Sequence, residues 1–203
     1  MLKKIFIIRH GETEYNRLNI VQGSGVDTDL NENGRRQAAQ FFASFATHPF
    51  DALYTSALRR SQQSVEGFIK NGLPHTILPE LNEISWGEFE GRPQSHEQKA
   101  VYHDMITRWS NGDVHAKIPQ GESPFELAQR QQLAIHHIFN RTHEKEVLIC
   151  MHGRAMKSFL CLLLNKPLSH MEQFQHTNLC LYTVGHDGIT NVLITSNDTT
   201  HLK

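Results

Sequence analysis

The chain is poor in cysteine, in unbalanced charge and in long apolar runs, and each shortage closes off a class of protein. Cys150, Cys161 and Cys180 are an odd set without C-x-x-C spacing, so they suit neither a zinc ribbon nor a dithiol redox site and read as reduced core residues. With 20 Lys and Arg against 21 Asp and Glu, interspersed along the chain, the formal charge of −1 leaves no footprint for nucleic acid or an anionic membrane. No stretch reaches the roughly 18 apolar residues of a spanning helix. The start, Met1-Leu2-Lys3-Lys4, leads into an apolar run that halts at Arg9-His10 with no small-residue cleavage site, so it reads as a strand and the expected location is cytoplasmic. Repeats and low-complexity segments are absent. At 203 residues, one domain can bury a sizeable core without disulfides or a structural metal.

What is present is concentrated in Ile5-Phe6-Ile7-Ile8-Arg9-His10-Gly11-Glu12-Thr13. The β-branched and aromatic run predicts a buried strand, and Gly11 permits the sharp exit that leaves Arg9 and His10 at its carboxyl end, where open α/β sheets bind ligands. The arrangement returns at Glu146-Val147-Leu148-Ile149-Cys150-Met151, which ends in His152-Gly153 and continues as an apolar helix from Arg154 to Leu164. Between the two, Asn31 predicts an N-cap ahead of a helix through Arg35–Phe42. Asp51–Ser56 predicts a strand leading into a helix across Leu58–Ile69, and Thr76–Leu78 a short strand before Glu83. Ser123-Pro124-Phe125-Glu126 combines an N-cap serine, a proline at the first helical position and a glutamate at the third, predicting a helix to about Arg141. Asn178–Thr183 and Ile189–Thr195, around Gly185-His186-Asp187-Gly188, predict a hairpin. The expected fold is α/β: a three-layer α/β/α sandwich with a mostly parallel sheet and an antiparallel edge. Periodicity is lost over about 84–121, which reads as a cap-like insertion in a single domain, with a helix at Gln98–Trp109.

A parallel sheet can bring His10 and His152 together at one edge, with Arg9, Arg59 and Glu83 at similar strand exits. Two guanidiniums beside two imidazoles suit a dianionic oxyanion such as phosphate, with one carboxylate as proton shuttle. Arg59 is preferred over Arg60, because a cation on the first turn opposes the helix dipole and calls for an anionic partner; Arg60 reads as its solvated neighbour. Most of the 14 histidines are expected to be surface or structural, and none lie three or four apart, so no helical H-x-x-x-H zinc pair exists and no metal is expected.

To these residues the chain adds Asn16, Gln22-Gly23, Ser56, Leu81-Asn82-Glu83, Gly87-Glu88-Phe89-Glu90-Gly91, Gly121-Glu122-Ser123 and His152-Gly153. In that order and spacing it resembles the histidine phosphatase superfamily, which includes the cofactor-dependent phosphoglycerate mutases. The resemblance implies a phosphoryl-accepting nucleophile at His10, an acid/base at Glu83, and a clamp of Arg9, Arg59 and a protonated His152. Further substrate contacts would come from Asn16, Gln22, Gly23 and Gly153, without a cofactor. The implied activity is metal-independent hydrolysis of a small soluble phosphate ester. Partners are limited to that substrate, as a monomer or homodimer. Glu83-Ile84 and Gly87–Gly91 depart from the Glu-Arg and Tyr-Gly-Gly-Leu pattern of the mutases and look like the phosphatase branch, with phosphoglycerate mutase chemistry as the alternative. The segment Gln22–Asp27 also resembles broad-specificity phosphatases and fructose-2,6-bisphosphatases, and α-ribazole phosphatase is a further option. A non-catalytic binding module would be expected to have lost His10 or Glu83. Lys157 stands where relatives often carry arginine, and Trp86 and Trp109 are expected to pack the insertion onto the core.

Overall fold

Alternation along β1 divides the protein into layers. Ile5 and Ile7 enter one apolar cluster with Leu127, Ala134 and Ile138 and with Ala155, Phe159 and Leu160, while Phe6 and Ile8 enter a second with Phe41, Val65 and Phe68. The strand Glu146–Met151 divides the same way, Val147, Ile149 and Met151 to the first cluster and Leu148 and Cys150 to the second. A strand buried on both faces can therefore be apolar throughout, and each such side chain contributes about 1.5–3 kcal/mol relative to exposure.

The computed structural model describes residues 2–93 and 95–203. In chain order these form β1 (Lys3–Arg9), α1 (Glu14–Arg17), α2 (Glu32–Phe45), β2 (Ala52–Thr55), α3 (Arg59–Ser64), α4 (Glu66–Lys70), β3 (His75–Ile77), α5 (His96–Ser110), α6 (Pro124–Asn140), β4 (Glu146–Met151), α7 (Gly153–Leu163), β5 (Leu181–His186) and β6 (Asn191–Asp198). The six-stranded sheet has the order β3-β2-β4-β1-β5-β6, parallel from β3 to β1 and antiparallel at β5 and β6. This is the expected three-layer α/β/α arrangement with an antiparallel edge. The helix expected across Leu58–Ile69 is two short ones, interrupted at Val65, whose ψ of 14° leaves the helical range.

Local signals explain the boundaries. Ser123 caps α6 by a reciprocal box with Glu126, Asn31 accepts from the Gly34 amide to open α2, and Lys3 donates to the carbonyls of Ile138 and Arg141 at the far end of α6. The ends of the 84–121 segment meet: the Glu122 amide donates to the Ser85 carbonyl at 2.8 Å, and Gly87, at φ +53°, lies where a Cβ would overlap Pro119 O. Within it, Trp109 stacks on Trp86 with ring centroids 5.6 Å apart and donates to Ala116 O, and both indoles belong to the larger core.

Candidate active site

Register explains how two distant histidines meet. Arg9 pairs with Met151 across the parallel β1–β4 ladder, so the next residues, His10 and His152, leave the sheet side by side with ring centroids 5.1 Å apart. The neighbouring β2 ends at Thr55, opposite Cys150, and delivers Ser56 to the same edge. Beyond β3, the turn at Pro79–Leu81 brings Glu83 there. Gly11 at the exit does not use positive φ. Its missing side chain instead lets β1 pass against the backbone of Gly34, whose carbonyl would lie 2.7 Å from a Cβ.

His10 is almost fully buried, and its Nδ1 donates to the Gly11 carbonyl at 2.7 Å. That bond fixes the proton on Nδ1 and leaves the Nε2 lone pair unprotonated. Burial, then the charges of Arg60 and Arg9, hold the ring well below the usual imidazole pKa. For scale, a unit charge about 4 Å away is worth roughly 4 kcal/mol near a protein surface.

The second arginine of the site is Arg60, not Arg59. Arg60 is 0% exposed and donates from Nε to His152 Nδ1 at 3.2 Å, from Nη1 to Val26 O and from Nη2 to Gly23 O. Burial lowers its pKa to about 10. The Arg59 side chain is 55% exposed and pairs with Asp27 and Asp29. The helix dipole did demand an anion for Arg59, and two aspartates of the preceding loop supply it. Within α3, Arg60 and Ser64 share a buried face at i and i+4, whereas Arg59 aligns with the more exposed Gln63.

His152 is likewise not protonated. Because Arg60 can only donate, His152 Nδ1 must accept, and its proton sits on Nε2, 2.7 Å from Ser56 Oγ. Burial, then Arg60, depresses its pKa strongly.

Arg9 Nη1 lies 3.3 Å from Nδ1 of His176, while its buried Nε has no partner. Burial, then the nearby Arg9, lowers the His176 pKa to about 3, which makes its ring a neutral acceptor for the guanidinium. Glu83 is fixed by three amides: those of Ile84 and Ala155 donate to Oε1, and that of Arg154 to Oε2. Two of these are orphan donors at the N-terminus of α7, so a helix start grips the carboxylate.

Arg9, His10 and Glu83 line a cavity of about 280 Å³ with Asn16, Asn19, Ile20, Val21, Gln22, Trp86 and Tyr102. Asn16 accepts from Thr13 N and from Asn178, which also donates to His10 O. The Gln22 side chain, expected as a phosphate donor, lines the cavity and gives one of its two amide N–H groups to Thr13 Oγ1. Gly23 is absent from the lining and presents its carbonyl to Arg60, and a Cβ there would overlap Glu90. Gly153 also lies off the cavity wall, its missing side chain making room for the His176 ring. Trp86, expected only to pack, is a wall of the cavity. His176, Asn178 and Tyr102 were not anticipated: the first two sit in irregular chain before β5, and the third lies on a helix of the insertion whose docking no local pattern reveals.

The sheet edge of this α/β protein thus gathers two imidazoles, two guanidiniums and one carboxylate, with Arg9, His10 and Glu83 on the cavity wall, His152 against His10 and Arg60 against His152. Residues 5–199 match the histidine phosphatase superfamily (branch 1), and the chain belongs to that family. Among solved structures, the α-ribazole phosphatase from Shigella flexneri superposes with a TM-score of 0.84 at 26% identity, covering 96% of each chain. Phosphoserine phosphatase from Entamoeba histolytica, solved with 3-phosphoglyceric acid, superposes at 0.85 with 25% identity, covering 99% of this chain and 100% of its own. A curated relative from Yersinia pestis, named "Probable phosphoglycerate mutase GpmB", is 28% identical over 208 residues, covering 98% of this chain and 94% of its own length.

Proposed function

We propose that this chain is a phosphomonoesterase that hydrolyses a small phosphate ester through a phosphohistidine on His10. The observation that carries the reading is the His10 ring, held by Gly11 O so that an unprotonated Nε2 is available beside the cavity shared with Arg9 and Glu83. In the first step Nε2 attacks phosphorus, the N–P bond forms as the ester P–O bond breaks, and Glu83 protonates the leaving oxygen. In the second, Glu83 takes a proton from water as its oxygen attacks phosphorus, releasing inorganic phosphate and free His10.

Charge on the transferring group's equatorial oxygens is received by the guanidiniums of Arg9 and Arg60. Arg9 supports this role with a buried Nε that has no protein partner. His152 serves as a neutral group whose tautomer is set by Arg60 and Ser56. The 84–121 segment acts as the cap that bounds the leaving-group side, and no metal takes part.

The test is p-nitrophenyl phosphate hydrolysis in excess EDTA, with rapid quench of phosphorus-labelled substrate. Turnover should persist, labelled protein should accumulate transiently, and His10→Ala should abolish both. Full EDTA sensitivity, or label retained by the alanine variant, would reject the mechanism. The similarity to GpmB favours one second reading, phosphoryl return to another substrate hydroxyl; it requires activity that depends on a bisphosphorylated primer.

A further inference from the structure

The phosphoryl end of the cavity contains its charge. Among the described residues that line it, only Arg9 and Glu83 are charged, and both lie with His10. The remaining wall is Asn16, Asn19 and Gln22 with Ile20, Val21, Trp86 and Tyr102. Two cations stand behind this wall: Arg154 and Lys157, each buried, share the single carboxylate of Glu172, and Arg154 Nε has no partner. Neither reaches the cavity surface.

Arg154 acts on the wall through Tyr102. Its Nη2 donates to the Tyr102 hydroxyl at 3.2 Å, and its guanidinium lies over the Trp109 ring at 5.5 Å. A phenol oxygen that accepts from a guanidinium must send its own proton elsewhere, and Tyr102 borders the cavity. The cationic donor also polarises that O–H, strengthening it as a donor. Trp86, with its ring centroid 5.0 Å from that of Tyr102, completes an apolar flank.

We propose that the substrate's leaving group is an uncharged, hydroxylated alcohol of the sugar or polyol class, and that Tyr102 is a specificity-determining residue donating a hydrogen bond to one of its oxygens. This rests on the phosphatase reading and narrows it. A carboxylate or second phosphate on the leaving group would give up its hydration beside Glu83 with no cation on the described cavity wall beyond Arg9, which the phosphoryl group occupies. A sugar presents hydroxyl acceptors to Tyr102 and the asparagine amides, and a C–H face to Trp86.

The experiment compares kcat/KM for glucose 6-phosphate and glycerol 1-phosphate with that for 3-phosphoglycerate and phosphoserine, in the full chain and in Tyr102→Phe. The uncharged leaving groups should be favoured at least tenfold. The variant should lose about three- to tenfold on glucose 6-phosphate, mainly in KM, and less on p-nitrophenyl phosphate. Equal or better turnover of 3-phosphoglycerate or phosphoserine, or an equal loss on every ester, overturns the inference while leaving the phosphatase reading in place. A protein that hydrolyses no ester, p-nitrophenyl phosphate included, overturns both.

Discussion

Adjacent arginines on one helical turn have opposite fates, and the difference is measurable. Arg60 is sealed against His152 and two backbone carbonyls, whereas Arg59 closes an exposed pairing with Asp27 and Asp29. Exposed ion pairs contribute between zero and about 1 kcal/mol, while loss of one preorganised oxyanion donor costs on the order of 10²–10³ in rate. Arg60→Ala should therefore lower kcat/KM for p-nitrophenyl phosphate by about 10²–10³, and Arg59→Ala should change it less than threefold, with circular dichroism melts confirming that both variants fold. Equal effects would remove Arg60 from the anion site. His176 shows the same logic in a neutral group: it supplies Arg9 with an acceptor and adds no competing negative charge.

At the level of elements, the site is a set of strand exits held in register by helix starts. The N-terminus of α7 fixes Glu83, and α6 packs against α7 through Gln131, whose side-chain amide donates to Ala155 O at 2.7 Å. The capping box that opens α6 thus lies at the start of a chain of contacts ending at the proposed proton shuttle. Ser123→Ala should destabilise the protein by about 0.5–2 kcal/mol in urea unfolding, and Ser123→Asn should restore most of that loss. No change on removing the hydroxyl would mean that Pro124 and tertiary packing alone determine where this helix begins.

Across the whole molecule, burying two neutral histidines makes stability depend on pH. Both His10 and His152 have pKa values lowered by burial and by Arg60 and Arg9, so below the unfolded value near 6.5 the unfolded chain binds protons that the folded one refuses. The stabilising contribution is complete above that value and is lost as the pH falls toward the folded pKa values. Each histidine contributes a slope of about 0.7 kcal/mol per pH unit at pH 6.5, rising toward a limit of about 1.4 at lower pH, so the pair approaches about 3. Urea unfolding should therefore weaken steadily from pH 6.5 to 5.5, with imidazole NMR signals of both rings still neutral at pH 5.5. A ring midpoint at or above 6.5 would contradict the depressed values.

The sequence by itself pointed to the layers and the strand exits, because two apolar runs ending in His-Gly suit buried strands of a parallel sheet; the β1–β4 register then brings His10 beside His152. It also determined the caps at Asn31 and Ser123, whose hydrogen bonds close within a few residues. Tertiary structure supplied the partners that separate the two arginines, His152 for Arg60 and the aspartates of a separate loop for Arg59. It also decided the charge of His152, which follows from Arg60 pressing against Nδ1, and the recruitment of His176, Asn178 and Tyr102 from segments far along the chain. Local periodicity encodes which face of an element is buried; the partner that meets that face is chosen only when the layers close.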